Sequence, residues 1–221
     1  MVSKLTLFDL DNTLLGGDSD HAWGEFLIDQ GLVEAAAHRA ENDRHYAQYQ
    51  AGKLDIDAYV EFTLRPILQL DPAERDTLHH KFMQHHVLPM VLPKARSLVN
   101  RHLDAGDCCV IITATNRFIT EPIAAEFGVP YLLATDLEQR EGFFTGKIAG
   151  FPCYQDGKVA RIQQWLDAQD ENLELTTASF YSDSINDLPL LQAVGNPVVV
   201  DPDTALAQKA EQFEWPVMSL R

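Results

Sequence analysis

The sequence predicts an α/β fold in which a Rossmann-like parallel sheet forms the core and an all-helical cap domain is inserted near its start. Short apolar segments alternate with helical stretches after residue 88, a pattern typical of parallel sheets with right-handed crossovers. Strand signals vanish between about residues 18 and 87, where several helices follow one another. The 221 residues suffice for a core domain that carries a smaller insert.

Four apolar segments are predicted as strands of the core sheet, at residues 4–9, 109–113, 179–183 and 197–201. Asp9, Thr113 and Asp183 each close one of them. Binding sites of open α/β sheets lie beyond the carboxyl ends of the strands, so we expect these three side chains to meet at one edge. The glycines and the Asp-Gly pair within 142–157 predict a hairpin or a loop excursion.

The predicted insert begins directly after the first strand. Its clearest helices cover residues 55–68 and 71–86, and the second opens with Asp71 as a cap candidate and a proline at the first helical position. We therefore assign 16–87 to the helical cap domain and join 1–15 with 88–221 as the catalytic core domain.

Composition excludes several classes of function. The 17 basic and 33 acidic residues give a net charge of −16, which repels nucleic acid and anionic membranes. No apolar run is long enough to span a bilayer, and the chain enters its first predicted strand after Met1-Val2-Ser3 without a signal peptide. Cys108, Cys109 and Cys153 lack metal-ligand spacing. We expect a cytoplasmic protein with reduced thiols; its oligomeric state stays open.

Two carboxylates stand at the end of the first predicted strand, in the segment Leu7-Phe-Asp9-Leu-Asp11-Asn-Thr13. One can attack phosphorus while the other transfers protons. Mg²⁺ prefers a few carboxylates together with phosphate oxygens and water. In an acidic protein such a segment would more often be a solvated turn, so the choice between the two interpretations depends on the other segments.

Three further segments extend this chemistry. Thr113 precedes a helix and either holds phosphate oxygens or caps that helix. Lys158 opens the helical stretch 159–168, where it either neutralises phosphate or lies on the surface. In Ser182-Asp183-Ser-Ile-Asn186-Asp187, Asp183 can complete a Mg²⁺ site and Asp187 can orient Lys158 or a metal-bound water. The alternative is a pair of acids that stabilise a helix terminus.

Together, these four segments resemble the haloacid dehalogenase superfamily of phosphatases, and the helical insert resembles its phosphoserine-phosphatase-like subgroup. The resemblance covers nearly the whole chain and implies Mg²⁺-dependent hydrolysis of a small phosphate monoester through an aspartyl-phosphate. The implied roles are Asp9 as nucleophile, Asp11 as acid and base, Thr113, Lys158 and Asn186 as phosphate ligands, Asp9, Asp183 and the Asp11 carbonyl as metal ligands, and Asp187 as a supporting residue.

The same resemblance indicates an amino-substituted substrate. Asp18, nine residues after Asp9, matches a carboxylate that binds the substrate ammonium, although a hinge acid is the alternative; His21 is a further candidate contact. Thr63 aligns with the arginine that binds the carboxylate of phosphoserine in the subgroup, and its lack of charge disfavours that substrate. The opening from Asp9 to Trp23 resembles proteobacterial relatives assigned to histidinol phosphate. Histidinol phosphate is therefore the leading substrate, with phosphoserine second and a phosphotransferase with the same core as the alternative.

Overall fold

The computed structural model of the protein describes residues 4–169 and 173–221, so residues 1–3 and 170–172 of the predicted core domain lie outside the described part. Six of the described strands form one parallel sheet in the order β3-β2-β1-β6-β7-β8, and β4 and β5 form an antiparallel hairpin. This sheet confirms the predicted Rossmann-like α/β core. The strands are β1 (Leu5–Phe8), β2 (Cys108–Asn116), β3 (Tyr131–Thr135), β4 (Leu137–Arg140), β5 (Phe143–Ile148), β6 (Ser179–Ser182), β7 (Asn196–Val200) and β8 (Val217–Met218).

The described helices fall into two groups. The first group makes up the insert that follows β1 and consists of α1 (Ser19–Asp29), α2 (Ala35–Gln50), α3 (Ile56–Leu64), α4 (Pro72–Phe82) and the short α5 (Leu88–Met90). The second group packs against the sheet and consists of α6 (Pro93–Asp104), α7 (Arg117–Glu126), α8 (Asp156–Asp167), α9 (Leu188–Ala193) and α10 (Thr204–Phe213).

The insert is helical, as predicted, and its helices begin where the sequence supplies caps. Asp71 accepts from the Glu74 backbone at 2.9 Å while the Glu74 side chain accepts from the Asp71 backbone at 2.9 Å, a capping box that starts α4. A π-helical turn at Met83–Val87 continues this helix, and a 3₁₀ turn at Arg65–Ile67 continues α3. The helical segments therefore match the predicted ranges closely.

The two chain segments that connect the sheet to the insert lie side by side. Leu15 and Val91 form an antiparallel bridge, and the Gly16 backbone donates to Met90 O at 2.7 Å. The predicted domain boundaries at 15/16 and 87/88 fall beside this bridge, and the division into two domains stays a prediction.

β1 lies at the centre of the sheet, where Leu7 pairs with Val110 of β2 and Phe180 of β6. Leu7 packs into an apolar cluster on one face, while Phe8 packs into the cluster on the other. The second cluster continues into the insert through Trp23, so the sheet and the insert share one apolar core. Among the described residues, no helix is long and apolar enough to cross a membrane.

The strand predictions are confirmed at β1, β2, β6 and β7, whereas β3 and β8 were not predicted. The hairpin begins earlier than the predicted range 142–157, because its turn lies at Glu141 and Gly142, which have φ values of 51° and 84°. The Asp-Gly pair expected in that excursion instead starts α8, where Asp156 stands in the first turn. An acid in a first helical turn is favoured by the helix dipole, so this pair fits a helix start as well as a turn.

Candidate active site

The first motif lies at the carboxyl edge of the sheet, next to the last motif. Asp9 directly follows β1, and its backbone N–H donates to Tyr181 O of β6 at 2.9 Å. Asp183 directly follows β6. Thr113 is buried within β2 and does not end it, because the strand continues to Asn116 with a register shift after Ile112. The expectation that Thr113 closes its strand is therefore wrong.

Thr13 connects the carboxylates of the first and last motifs. Its hydroxyl lies 2.8 Å from Asp183 Oδ1 and 3.2 Å from Asp9 Oδ2, and it accepts from the Asp183 backbone at 3.1 Å. A hydroxyl has one proton, so Thr13 donates to one carboxylate at a time. Its functional position was not predicted, although it is the threonine of the Asp-x-Asp-x-Thr segment.

Lys158 lies inside the protein between two carboxylates. Its ammonium is 2.8 Å from Asp9 Oδ1 and 2.7 Å from Asp187 Oδ1, and Ser182 donates to the other oxygen of Asp187 at 2.7 Å. Burial alone would lower the pKa of Lys158, but the charges of Asp187 and Asp9 outweigh it and raise that pKa. Lys158 is therefore a buried cation of the site, and the surface alternative is wrong.

Asp11 has a different environment from Asp9. Its carboxylate accepts from the Ser19 backbone at 2.6 Å and from the Thr115 hydroxyl at 2.8 Å. Burial, followed by the charge of Asp18, raises the pKa of Asp11 to about 7, although these hydrogen bonds oppose the shift. Burial also raises the pKa of Asp9, but the neighbouring Lys158 ammonium counteracts it. Two carboxylates in such different environments are suited to different tasks, one as an acid and one as a nucleophile.

The site fits a hard divalent cation. Asp9 and Asp183 both contact Thr13, and burial and the charge of Asp9 raise the pKa of Asp183 well above its usual value. The donors are oxygen atoms with excess negative charge, the set that Mg²⁺ prefers. The Asp11 side chain points to Ser19 and Thr115, and within residues 4–169 and 173–221 no three His, Cys, Asp or Glu residues group as a metal site. The Asp11 side chain is therefore engaged elsewhere, and the metal role implied for Asp11 is left to its backbone carbonyl.

Asn186 joins the core to the insert. Its Nδ2 donates to Tyr49 O at the end of α2 at 2.9 Å, and its Oδ1 accepts from Gln155 at 3.2 Å. Gln155 also donates to Gly52 O at 3.3 Å. The last motif therefore contacts the end of α2 directly and the α2–α3 connection through Gln155.

A cavity of about 440 Å³, including its opening to solvent, separates the carboxyl edge of the sheet from the insert. The sheet side contributes Asp9, Asp11 and Thr113 to Thr115. Leu54 and Ile56 add apolar surface, and the lining described here contains no Arg or Lys. The polar and aromatic side chains from the insert are Asp18, Asp20, His45, Tyr46, Tyr49 and Tyr59.

Of the two substrate contacts predicted in the insert, one lines the cavity and the other does not. Asp18 lines the cavity and is also the N-cap of α1, where it accepts from the His21 backbone at 2.8 Å. The His21 imidazole instead lies 2.9 Å from Asp43 Oδ1, outside the cavity lining. Thr63, the position aligned with the arginine of the subgroup, is buried in the insert; the nearest arginine in the sequence, Arg65, is exposed and lies beside Glu41 on another surface. Asp20 and His45 line the cavity and were not predicted.

Comparison with known proteins agrees with this geometry. Residues 6–192 match the model of the haloacid dehalogenase-like hydrolase family. The chain belongs to the haloacid dehalogenase-like hydrolase family. It is 42% identical to the histidinol-phosphatase of Neisseria meningitidis over the full length of both proteins. This relative and the family model establish a phosphoric monoester hydrolase and confirm the predicted enzyme class.

Two solved structures extend the comparison to the fold. A Bordetella pertussis protein of unknown function is 41% identical and superposes with a TM-score of 0.92 over all of both chains. A substrate-bound phosphoserine phosphatase superposes with a TM-score of 0.72 over 99% of this chain and 93% of that one. At 15% identity, the second likeness shows the shared fold of the sheet and its helical insert.

Proposed function

We propose that the protein is a Mg²⁺-dependent phosphatase that hydrolyses histidinol phosphate through an aspartyl-phosphate on Asp9. The charge of the cavity carries this proposal. The insert contributes Asp18 and Asp20, and the described lining has no Arg or Lys. An ammonium group suits that surface, whereas the carboxylate of phosphoserine would be buried without a partner at a cost of several kcal/mol. The similarity to the Neisseria histidinol-phosphatase supports the same substrate.

Asp9 is the proposed nucleophile. Its carboxylate attacks phosphorus in line as the bond to the alcohol oxygen breaks, which leaves phosphate on Asp9. The Lys158 ammonium, 2.8 Å from Asp9 Oδ1, neutralises charge on the transferred group. Thr113, in the cavity wall, is the proposed hydroxyl donor to the phosphate. Asp187 keeps Lys158 in place.

Asp11 is the proposed acid and base. With a pKa of about 7, a substantial fraction of Asp11 is protonated at neutral pH and can donate to the departing alkoxide. The resulting carboxylate then removes a proton from water, which attacks phosphorus and releases phosphate from Asp9. The Ser19 backbone and Thr115 hydroxyl orient the carboxylate for both steps.

Asp9, Asp183 and the backbone carbonyl of Asp11 would hold Mg²⁺. When bound, the ion supplies positive charge that offsets the repulsion between these carboxylates and the incoming phosphate. Asn186 contacts the insert through Tyr49 O and is proposed to bind phosphate from that side when the Tyr49 contact opens.

Steady-state phosphate release with Mg²⁺ tests the proposal, with histidinol phosphate and phosphoserine as the compared substrates. We expect kcat/KM for histidinol phosphate to exceed that for phosphoserine by at least about a hundredfold, because the latter leaves a buried charge unpaired. Comparable values would contradict the substrate assignment. Adding an alcohol acceptor separates hydrolysis from phosphotransfer, since a phosphotransferase would form a new ester in place of free phosphate.

A further inference from the structure

Two buried polar atoms in the cavity wall have no hydrogen-bond partner within the described chain: Asp20 Oδ1 and His45 Nδ1. The two residues come from different helices, α1 and α2, and both contact Tyr59 of α3. The Tyr59 hydroxyl is close enough to the Asp20 carboxylate to lower the pKa of Asp20, and the Tyr59 ring centre lies 5.1 Å from that of His45. Leaving buried polar groups unpaired costs free energy, so a ligand that pairs with both atoms at this cavity wall would gain affinity.

The contacts of His45 define which of its nitrogens is a donor. His45 Nε2 lies 2.9 Å from Arg44 Nη2, and a guanidinium group can only donate. His45 Nε2 is therefore the acceptor, and the neutral ring carries its hydrogen on Nδ1, the nitrogen without a partner. Burial and the charge of Arg44 lower the pKa of His45, which keeps the ring neutral.

Asp20 supplies the complementary group. Its carboxylate accepts hydrogen bonds, and Oδ1 receives none from the described residues. Burial and the charges of Asp18 and Asp11 raise the pKa of Asp20 well above its usual value, although the Tyr59 hydroxyl opposes the shift. A donor from a ligand would therefore stabilise the Asp20 carboxylate. The cavity wall thus offers one acceptor and one donor beside the flat ring of Tyr59.

We propose that Asp20 and His45 form a subsite for a neutral imidazole ring of the substrate, in which Asp20 accepts from the ring N–H and His45 Nδ1–H donates to the other ring nitrogen. A neutral imidazole has one donor and one acceptor in a flat ring, which matches these two groups and the aromatic wall. A phenyl ring would leave both protein atoms unpaired. The subsite rests on the proposed hydrolysis of an amino-alcohol phosphate and adds the group that selects its side chain.

The test compares histidinol phosphate with phenylalaninol phosphate, which differs by a phenyl ring in place of the imidazole. We expect wild-type kcat/KM to favour histidinol phosphate by at least about a hundredfold, because sites built for hydrogen bonds reject analogues that lack them. Asp20→Leu removes the acceptor and His45→Phe removes the donor but keeps an aromatic ring. Each of these two variants should reduce the preference for histidinol phosphate over phenylalaninol phosphate at least about tenfold, chiefly by raising KM for histidinol phosphate.

His38→Phe is the matched control. His38 also lies on α2, is buried, stacks on Phe62 at 4.5 Å and has an unpaired Nε2, but it lies outside the cavity lining. This variant should keep the wild-type preference within about twofold.

A second measurement, on the wild-type enzyme, tests the subsite even if the variants fail to fold. Histidinol should inhibit wild-type hydrolysis of p-nitrophenyl phosphate at least tenfold more strongly than phenylalaninol. Equal inhibition, or an unchanged preference in folded Asp20→Leu and His45→Phe, would overturn the imidazole subsite while leaving histidinol phosphate as the substrate. A wild-type enzyme that hydrolyses other phosphate esters but not histidinol phosphate would overturn both the subsite and the proposed function.

Discussion

Lys158 Nζ lies 2.8 Å from Asp9 Oδ1, and both side chains are almost completely buried. A second carboxylate, Asp187, contacts the same ammonium at 2.7 Å. The ammonium of Lys158 therefore contacts the proposed nucleophile and also neutralises two buried carboxylates of the folded state. Removing it affects activity and stability together.

We expect Lys158→Met to reduce turnover by about a thousandfold or more, because it removes positive charge from the transition state. The free energy of unfolding at pH 7.5 should fall by about 3–5 kcal/mol, since Asp9 and Asp187 are left buried without their partner. Phosphate release and urea unfolding in a chelator measure the two effects.

The exposed Lys147 provides the control for this prediction. Lys147→Met should change the free energy of unfolding by no more than about 0.5 kcal/mol. The loss in Lys158→Met should shrink on acidification, because protonated carboxylates no longer need a cation. A stable, active Lys158→Met enzyme at pH 7.5 would contradict the role of the ion pair.

Asp9→Asn should abolish turnover and preserve the fold, because asparagine has nearly the same shape and Lys158 keeps its contact with Asp187. We expect kcat below about one hundredth of the wild-type value, measured by phosphate release with deamidation excluded by mass spectrometry. Asp29→Asn, at an exposed position on α1, is the control and should retain full activity. A folded Asp9→Asn enzyme with higher turnover would require a different nucleophile.

Much of the site could be predicted because parallel topology brings distant strand ends together. Asp9 and Asp183 are 174 positions apart in the chain, yet both contact Thr13 because β1 and β6 are neighbours. Lys158 reaches Asp187 in another way, from the first turn of α8, which packs against α9. Short strands such as β8 give little periodic signal, so this edge of the sheet could not be predicted.

The substrate side of the cavity was harder to predict from sequence. Asp20 and His45 lie on different helices, and only the packing of α1 against α2 and α3 determines which side chains face the cavity. His21 was a candidate by its proximity to Asp18, but it pairs with Asp43. Helical periodicity predicts an apolar face and does not specify which helix that face will contact.

The pH dependence of kcat/KM should reflect the Thr115–Asp11 hydrogen bond. Thr115 donates to the Asp11 carboxylate at 2.8 Å and thereby lowers the Asp11 pKa, which burial brings to about 7. The proposed acid is active when protonated, so kcat/KM should fall as pH rises through this pKa. Thr115→Val removes the hydrogen bond, and we expect the falling limb to move up by about 0.5–1 pH unit.

Thr120→Val tests whether loss of any buried hydroxyl would cause this shift. The Thr120 hydroxyl donates to Asn116 O at 3.0 Å and has no contact with Asp11. Its pH profile should match the wild type. A Thr115→Val profile that is unchanged or moves to lower pH would contradict the assignment of Asp11 as the acid.

Metal removal should abolish hydrolysis, and Mg²⁺ should restore it. Asp183 is a proposed ligand, so Asp183→Asn should raise the Mg²⁺ concentration for half-maximal activity at least about tenfold. Because Mg²⁺ would bind the folded state, it should also raise the Tm of the wild type, and it should raise the Tm of Asp183→Asn by less.

Ca²⁺ should inhibit the enzyme, because it takes more and longer oxygen bonds and can engage both oxygens of Asp9. Full activity in excess chelator would exclude the metal-dependent mechanism.

Asp18→Asn should reveal whether the Asp18 carboxylate binds the substrate ammonium. Asparagine caps helices as well as aspartate does, so the contact with the His21 backbone should persist and the change removes mainly charge. Loss of one partner from a partly desolvated ion pair costs on the order of 2–5 kcal/mol. We therefore expect kcat/KM for histidinol phosphate to fall by roughly thirtyfold or more.

The substrate p-nitrophenyl phosphate has no ammonium and a good leaving group. Its kcat/KM should change by less than about threefold in Asp18→Asn, even though removing the Asp18 charge lowers the pKa of Asp11. Asp71→Asn changes another helix N-cap, one outside the cavity lining, and should leave kcat/KM for both substrates unchanged. Equal losses on both substrates in Asp18→Asn would indicate that Asp18 supports the hinge or the reacting carboxylates, because only an ammonium contact predicts a selective loss.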